Sequence, residues 1–395
     1  MFVHLHCHYS GSYSDSVLRI PAAVEKVRRR GQKALALTDH GEIPCARLFQ
    51  QECRRSGVKP LFGAEIYFVE NARETIEKND RERFHLVLLA KNPAGLKNLF
   101  CLLSDAWTVN SFEEKRGLVD WALLEKYREG LVVLSGCFYS LIGQTFYRQG
   151  KEAAAKILSR YRSIFGDDFF VEVARHGVKE EDRIVAGLIK VAGWQGITPV
   201  LTNDAHYLDP EDWNAHEVLM RTRYDHVIDF HAHSHEYWLK SEEEMRLLGF
   251  PEAYLEQTAA VADRCEPLTL PRIEERKNIF MSDLSNPESL ISSGRAAYLA
   301  KMNFIDGPTA LRHVRETLGA GEPDEENVAR RIVGLPRSSE PDTEHIVYAF
   351  GKPLKEFVPL KRAAGKIMTQ WDKEACEQAG AIVLARCPVP LLGTR

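Results

Sequence analysis

The sequence predicts an α/β fold with a mainly parallel sheet, either open or closed into a barrel. Two observations carry that prediction. Short apolar runs of strand length alternate with stretches of helical period over roughly the first 270 residues. Polar residues able to bind a metal recur just past those apolar runs, at the strand ends where α/β folds place their sites.

The chain opens Met1-Phe2-Val3-His4-Leu5-His6-Cys7-His8, an apolar start with imidazoles at alternate positions. Alternate residues of a strand share a face, so His4 and His6 are expected to project together as a pair of metal ligands. Ile20 to Gly31 reads as a helix, because Ile20, Val24 and Val27 share a face, Pro21 stands near the start and Gly31 follows the end. A buried strand, Ala34 to Leu37, comes next. The alternation continues with a helix around Ala46 to Arg55, strands at Leu61 to Val69 and Leu86 to Leu89, and a helix from Ala94 to Ala106. Further strands are expected at Leu131 to Leu134, Phe169 to Val173 and Pro199 to Thr202, with helices near Lys151 to Ile164 and Glu180 to Ala192. Ser241-Glu242-Glu243-Glu244 has the pattern of a capping box and opens another helix. Past about Pro271 the rhythm fades into turn-rich pieces such as Asp283 to Pro287 and Pro336 to Pro341, which sets a domain boundary near residue 275.

With 395 residues, the chain has room for one large domain and a smaller appendage. Its 44% hydrophobic and 27% charged residues are those of a soluble globular protein, and no apolar run approaches the length of a bilayer span. The start lacks a basic stretch followed by an apolar one, so a cytoplasmic location is expected. The eight cysteines are scattered without a CxxC pair, which argues against a zinc-finger module and a thioredoxin-type motif. A formal net charge of -4 gives no global footprint for nucleic acid, and Arg28-Arg29-Arg30 suits a solvated helix end.

Asp39 and His40 follow the strand ending at Leu37, and Glu65 lies within Phe62 to Tyr67. His85 opens its own strand, Cys137 follows Leu134-Ser135-Gly136, and Asp204 and His206 follow Val200 to Asn203. Each alone suits a hydrogen-bonded structural role. Their recurrence at one end of successive strands points to a shared site. Asp39 fits two roles equally, orienting an imidazole or capping the next segment. His8, one alternation beyond His6, has two readings, a place in the site and a structural role, of which the second is preferred; His176 is a candidate phosphate contact, and the alternating His231, His233 and His235 read as a solvated loop or edge strand.

HLHCH at 4–8, ALTDHG at 36–41, KPLFGAEIY at 59–67, FHLVLLAKN at 84–92, LSGC at 134–137 and TNDAHYL at 202–208 resemble the successive motifs of the PHP (polymerase and histidinol phosphatase) domain. They are most similar to the version at the N-terminus of the bacterial DNA polymerase III alpha subunit. The resemblance covers roughly residues 1–270 and implies a distorted (βα)7 barrel with a multinuclear metal site at the strands' C-terminal ends. Carried over by position, it implies metal ligands at His4, His6, Asp15, His40, Glu65, His85, Cys137, Asp204 and His206, with His4, His6, His40, Asp204 and His206 central to catalysis. Every one of these positions keeps a ligand-type side chain. The set implies two or three divalent ions, zinc, manganese or iron, with Cys137 favouring the softer zinc. The implied reaction is hydrolysis of a phosphoester substrate, extending to a nucleic-acid 3′ end because some family members are proofreading exonucleases. Replication proteins are the implied partners, and no membrane is.

Residues 276–395 resemble pieces of the polymerase palm, at Ala310 to Gly319 and Met368 to Lys373, but lack its catalytic aspartates. No PDIDxDF-type motif occurs, and Ala381 to Pro388 stands where an FDFLGL-like stretch is expected. Two-metal polymerisation needs positioned carboxylates, so DNA-directed DNA polymerase activity is expected to be absent. The region reads as a truncated, poorly ordered remnant forming a small irregular appendage. The alternatives to a phosphoesterase are a noncatalytic metal-stabilised scaffold and a fragment of a polymerase subunit acting in DNA replication.

Overall fold

The computed structural model describes residues 1–12, 15–112, 116–136, 138–223, 234–271, 348–349, 352–353, 359–363 and 366–371. Helices and strands alternate through the first 201 residues. α1 (Ile20–Arg29) leads to β1 (Ala34–Leu37), α2 (Ala46–Ser56) to β2 (Lys59–Phe68), and α3 (Ala72–Glu77) to β3 (Phe84–Ala90). α4 (Pro93–Thr108) is followed by the short β4 (Ser111–Phe112) and β5 (Arg116–Val119), then α5 (Trp121–Tyr127) and β6 (Leu131–Leu134). α6 (Leu141–Gln149) and α7 (Lys151–Phe165) precede β7 (Phe169–Phe170) and β8 (Glu172–Val173); α8 (Lys179–Trp194) precedes β9 (Val200–Leu201). α9 (Trp213–Arg223), α10 (Glu242–Arg246) and α11 (Glu252–Arg264) complete this part. The capping box expected at Ser241 is formed with Glu244. Among the described residues, no helix is long and apolar enough to cross a membrane.

The backbone pairings run round a closed circuit of seven segments. The N-terminal stretch pairs with β1 through His4 and Leu35, β1 with β2, β2 with β3, β3 with β6, β6 with β7, and β8 with β9. Ala205, just past β9, then pairs with Cys7 and closes the ring. All pairs are parallel except those of β3, which is antiparallel to both neighbours. This reversal puts the first residues of β3 at the end of the barrel where the other strands finish, which is why His85 shares that end with His40 and Glu65.

Inside the barrel, Val3, Leu5, Ala36, Leu61, Val87, Leu89, Val132, Leu134, Phe170 and Val200 pack into one apolar core with Val261 and Ala262 of α11. Lys59 Nζ donates to the carbonyl of Ala262, and Glu266 N–H to that of Lys91, so α11 lies at the end opposite the ligand residues. One end of the barrel is thus plugged with hydrocarbon, and the polar residues collect at the other.

The N-terminal segment is not a regular strand. Ala36 N–H bonds the carbonyl of His4 and Thr38 N–H that of Cys7, so a step of two residues on β1 is matched by three on the N-terminal side. That extra residue is a β-bulge, a device that re-aims side chains at barrel rims. Leu5 faces the apolar interior, and so does the next residue, His6.

The first compact unit comprises Met1–Leu270 and Leu360–Gln370. The second stretch comes from the region expected to form the appendage. It is a hairpin, β12 (Leu360–Ala363) antiparallel to β13 (Lys366–Thr369), held by Leu360 N–H on Ser104 Oγ and by Ile43 N–H on Gln370 Oε1. Of the second unit, Pro271–Pro359 with Trp371–Arg395, the described strands are β10 (Tyr348–Ala349) and β11 (Lys352–Pro353), antiparallel to one another. The palm-like segment expected at Ala310 to Gly319, and the stretch Ala381 to Pro388, lie outside the described residues.

Candidate metal centre

Eight side chains from six places in the chain meet at the open end of the barrel. His6 and His8 come from the bulged N-terminal segment, Asp15 from the loop that follows, and His40 from just past β1. Glu65 comes from within β2, His85 from the start of β3, and Asp204 and His206 from beyond β9. Gly136, past the end of β6, presses against the carbonyl of His85 at φ +87°, where an added Cβ would lie 2.3 Å from that oxygen. A side chain there is excluded by both contact and backbone conformation.

The side chains form three overlapping groups with spacing suited to a metal ion: His8, Asp15, His40 and His206; His6, His8 and Asp204; and His40, Glu65 and His85. In the second group, His6 Nε2 is 3.0 Å from His8 Nε2 and 3.3 Å from Asp204 Oδ1, and His8 Nε2 is 3.2 Å from the same oxygen. Tetrahedral ligands about 2.0–2.1 Å from zinc stand about 3.3 Å apart. His40 links the other two groups, with Nε2 3.0 Å from Asp15 Oδ2 and Nδ1 2.8 Å from Glu65 Oε2. His206 Nε2 reaches Asp15 Oδ2 at 3.2 Å and His85 Nδ1 reaches Glu65 Oε1 at 3.0 Å. Asp204 Oδ1 is buried against these two imidazoles of His6 and His8.

Without a metal, this concentration of charge sets the protonation of the cluster. Burial pulls His6 down, but Asp204, Glu172 and Glu65 together overcome it and hold the imidazole well above its ordinary 6.5. His8 is pushed below that value by burial and by His40 and His206. Asp15, Glu65 and Asp204 are opposed by burial yet held well below the carboxylate range by the surrounding imidazoles.

Further contacts orient these ligands. His6 Nδ1 lies 2.7 Å from Glu172 Oε1, which also accepts from Thr202 Oγ1 at 2.5 Å. Glu172 was missed in the sequence. Its signal is a carboxylate within the apolar run Phe169 to Val173, on the inward face it shares with Phe170. His206 Nδ1 bonds the carbonyl of Asp204 at 2.7 Å, leaving Nε2 for the cluster. Asp39 does not touch the imidazole of His40. Its Oδ1 accepts from Tyr9 N–H and Ser12 Oγ, and Ser12 Oγ in turn meets His8 Nδ1 at 3.1 Å. Burial raises the Asp39 carboxyl to about 7.

Of the residues expected to form the site, His6, Asp15, His40, Glu65, His85, Asp204 and His206 are brought together. His4 is not. Its Nε2 bonds the carbonyl of Lys240 at 2.8 Å, its ring packs on Phe2, and burial lowers it to about 3. His8, expected to be structural, stands in the cluster instead, because the bulge shifts the inward face by one residue. Cys137, His231 and His233 lie outside the described residues, and His235 is exposed and stacks on Trp213. His176 has no nitrogen free for a phosphate, since Nδ1 meets Glu181 and Nε2 the carbonyl of Asn203.

Residues 4–176 match the family model of the PHP domain. Over that stretch the chain is similar to the PHP domain. It is 36% identical over 275 residues to DNA polymerase III subunit alpha of Treponema pallidum, covering 67% of this chain and 23% of that one. The same subunit of Borreliella burgdorferi is 32% identical over 273 residues, covering 67% and 24%, and that of Thermus aquaticus 34% identical over 318, covering 77% and 25%. The chain spans about a quarter of the length of these curated relatives. Among solved structures, a two-domain protein from Bacteroides vulgatus containing a predicted PHP-like metal-dependent phosphoesterase aligns with 65% of this chain and 63% of its own. Its identity of 15% and TM-score of 0.31 are too low to carry an argument.

Proposed function

We propose that this PHP domain is a metal-dependent phosphoesterase holding two or three divalent ions, zinc, manganese or iron. The observation that supports the reading best is the convergence of His6 Nε2, His8 Nε2 and the buried Asp204 Oδ1 at the separations of ligands around one ion. Imidazole and carboxylate together suit these metals. Ions bound there would lower the pKa of a water and stabilise charge on a phosphoryl oxygen. The chain's own residues do the positioning: Glu172 holds His6, Ser12 holds His8, and the Asp204 carbonyl holds His206. Burial of the cluster excludes bulk water that would otherwise weaken these contacts.

A nucleic-acid 3′ end is the substrate we favour within the phosphoester class, and replication proteins are the partners, a reading supported by the similarity to replicative polymerase subunits. Template-directed synthesis is expected to be absent, since the sequence carries no PDIDxDF-type carboxylates. The test combines elemental analysis of the purified chain with hydrolysis of bis(4-nitrophenyl) phosphate, for wild type and His40→Ala. The expected result is bound metal with turnover that the substitution abolishes. Bound metal without turnover would leave a noncatalytic scaffold, and primer extension on a template would restore the polymerase reading.

A further inference from the structure

Asp204 holds its place in the cluster with a backbone that ordinarily resists it. Its φ is +49°, and among the described residues only Asn79 is also left-handed without being glycine. A non-glycine residue stays there when its surroundings impose it. The preceding residue shows how. Asn203 Nδ2 donates to the carbonyls of Trp238 at 2.8 Å and Glu236 at 3.2 Å, and the Asn203 carbonyl meets His176 Nε2 at 3.0 Å.

His176 is itself locked. Its ring stacks on Tyr237 at 4.2 Å and 16°, its Nδ1 lies 2.7 Å from Glu181 Oε1, and its carbonyl accepts from Ser234 Oγ. Glu181 sits in the first turn of α8 and takes the His176 backbone N–H with its other oxygen. With one nitrogen on Glu181 and the other on the Asn203 carbonyl, the imidazole bridges α8 to the peptide that enters Asp204.

We propose that His176 is a positioning residue for Asp204: anchored by Glu181, it pins the Asn203 carbonyl and so holds the left-handed turn that aims Asp204 Oδ1 at His6 and His8. This rests on the metal-binding reading above for its consequence, though not for its geometry. Among the described ligand side chains His176 bonds none, so its effect on them runs through the Asn203–Asp204 peptide.

The experiment is a double-substitution cycle on the full chain, with zinc affinity measured by competition against a chromophoric chelator. His176→Ala is expected to weaken one zinc about 10- to 100-fold, the range for residues that orient ligands. Combined with Asp204→Ala it should add little to the loss caused by Asp204→Ala alone. Unchanged affinity in His176→Ala, or additive losses in the double variant, would overturn the proposal. Should His176→Ala fail to fold, His176→Gln and Glu181→Gln enter the same cycle. If the wild type binds no zinc, the phosphoesterase reading fails on its own, and hydrogen exchange of the metal-free protein decides the positioning role. Faster exchange across residues 200–208 in the variant, relative to the rest of the barrel, supports it, and equal exchange removes it.

Discussion

The Nε2 atoms of His6 and His8 face one another 3.0 Å apart. The Nδ1 of His6 is taken by Glu172 and that of His8 by Ser12, so the space between the two Nε2 atoms holds one positive centre. The carboxylates around His6 keep it charged, while burial and two neighbouring imidazoles keep His8 neutral. A divalent cation would occupy the same position with Asp204 as a third ligand. Proton and metal therefore compete, and the predictions that follow use that competition or the contacts that sustain it.

Substituting His8 should cost more metal than substituting His4. His8 belongs to two of the three ligand groups, whereas His4 is committed to the Lys240 carbonyl. His8→Ala is expected to lose at least one equivalent of bound zinc by elemental analysis. His4→Ala should keep the wild-type metal content while losing about 1–3 kcal/mol of stability, because the Lys240 carbonyl loses its buried partner. Equal metal loss in both variants would return the ligand role to His4.

That contrast also marks what the sequence could and could not reveal. Alternation from His4 assumes an unbroken pleat, and the single extra residue between His4 and Cys7 passes the inward face from Val3 and Leu5 to His6 and His8. Strand periodicity cannot register a bulge, since its signature is a hydrogen-bond mismatch with β1. The strand and helix order was legible because apolar runs at Ala34, Leu86 and Leu131 are short and bounded by turn residues. So was the shared position of His40, Glu65, His85, Asp204 and His206. The reversal of β3, which explains His85, leaves no trace in the sequence.

Glu172 is expected to matter for metal affinity without touching metal. Glu172→Gln keeps the shape but offers His6 Nδ1 a neutral, weaker acceptor, and should lower zinc affinity about 10- to 100-fold. Isothermal titration with zinc would show it. An unchanged affinity would mean the imidazole is oriented by the barrel walls alone.

Metal-induced stabilisation should grow as pH rises. His6, His40 and His206 have folded-state values above the ordinary 6.5, so their proton-linked stability is fully present below 6.5 and is lost as pH climbs through the raised values. Asp15, Glu65 and Asp204 are depressed, so their contribution is present above the ordinary carboxylate range and is lost only in acid. The metal-free protein is therefore most stable in mildly acidic solution, and alkaline pH strips the protons that offset its buried carboxylates. Bound zinc replaces those protons and releases them to solvent. The difference in Tm between zinc-loaded and metal-free protein should widen from pH 6 to pH 8.5 in differential scanning fluorimetry; a constant or shrinking difference would rule out the competition.

The hairpin β12–β13 bears on the same site from far along the chain. Gln370 Oε1 accepts the N–H of Ile43, three residues past His40, while its Nε2 donates to the carbonyl of Leu360, and Lys361 pairs with Glu42 at 2.9 Å. Trp107 Nε1 fixes the intervening Gly41 carbonyl from α4. Gln370→Ala removes the side chain that accepts from the Ile43 N–H and donates to the Leu360 carbonyl, a loss of about 1–3 kcal/mol. Because the loosened segment begins next to His40, zinc affinity should fall along with chemical-denaturation stability. Glu42→Gln removes the more exposed Lys361 contact, and should cost less than about 1 kcal/mol and leave zinc binding intact. A Gln370→Ala variant that loses stability but keeps full zinc affinity would show that the hairpin anchors the loop without shaping the metal centre.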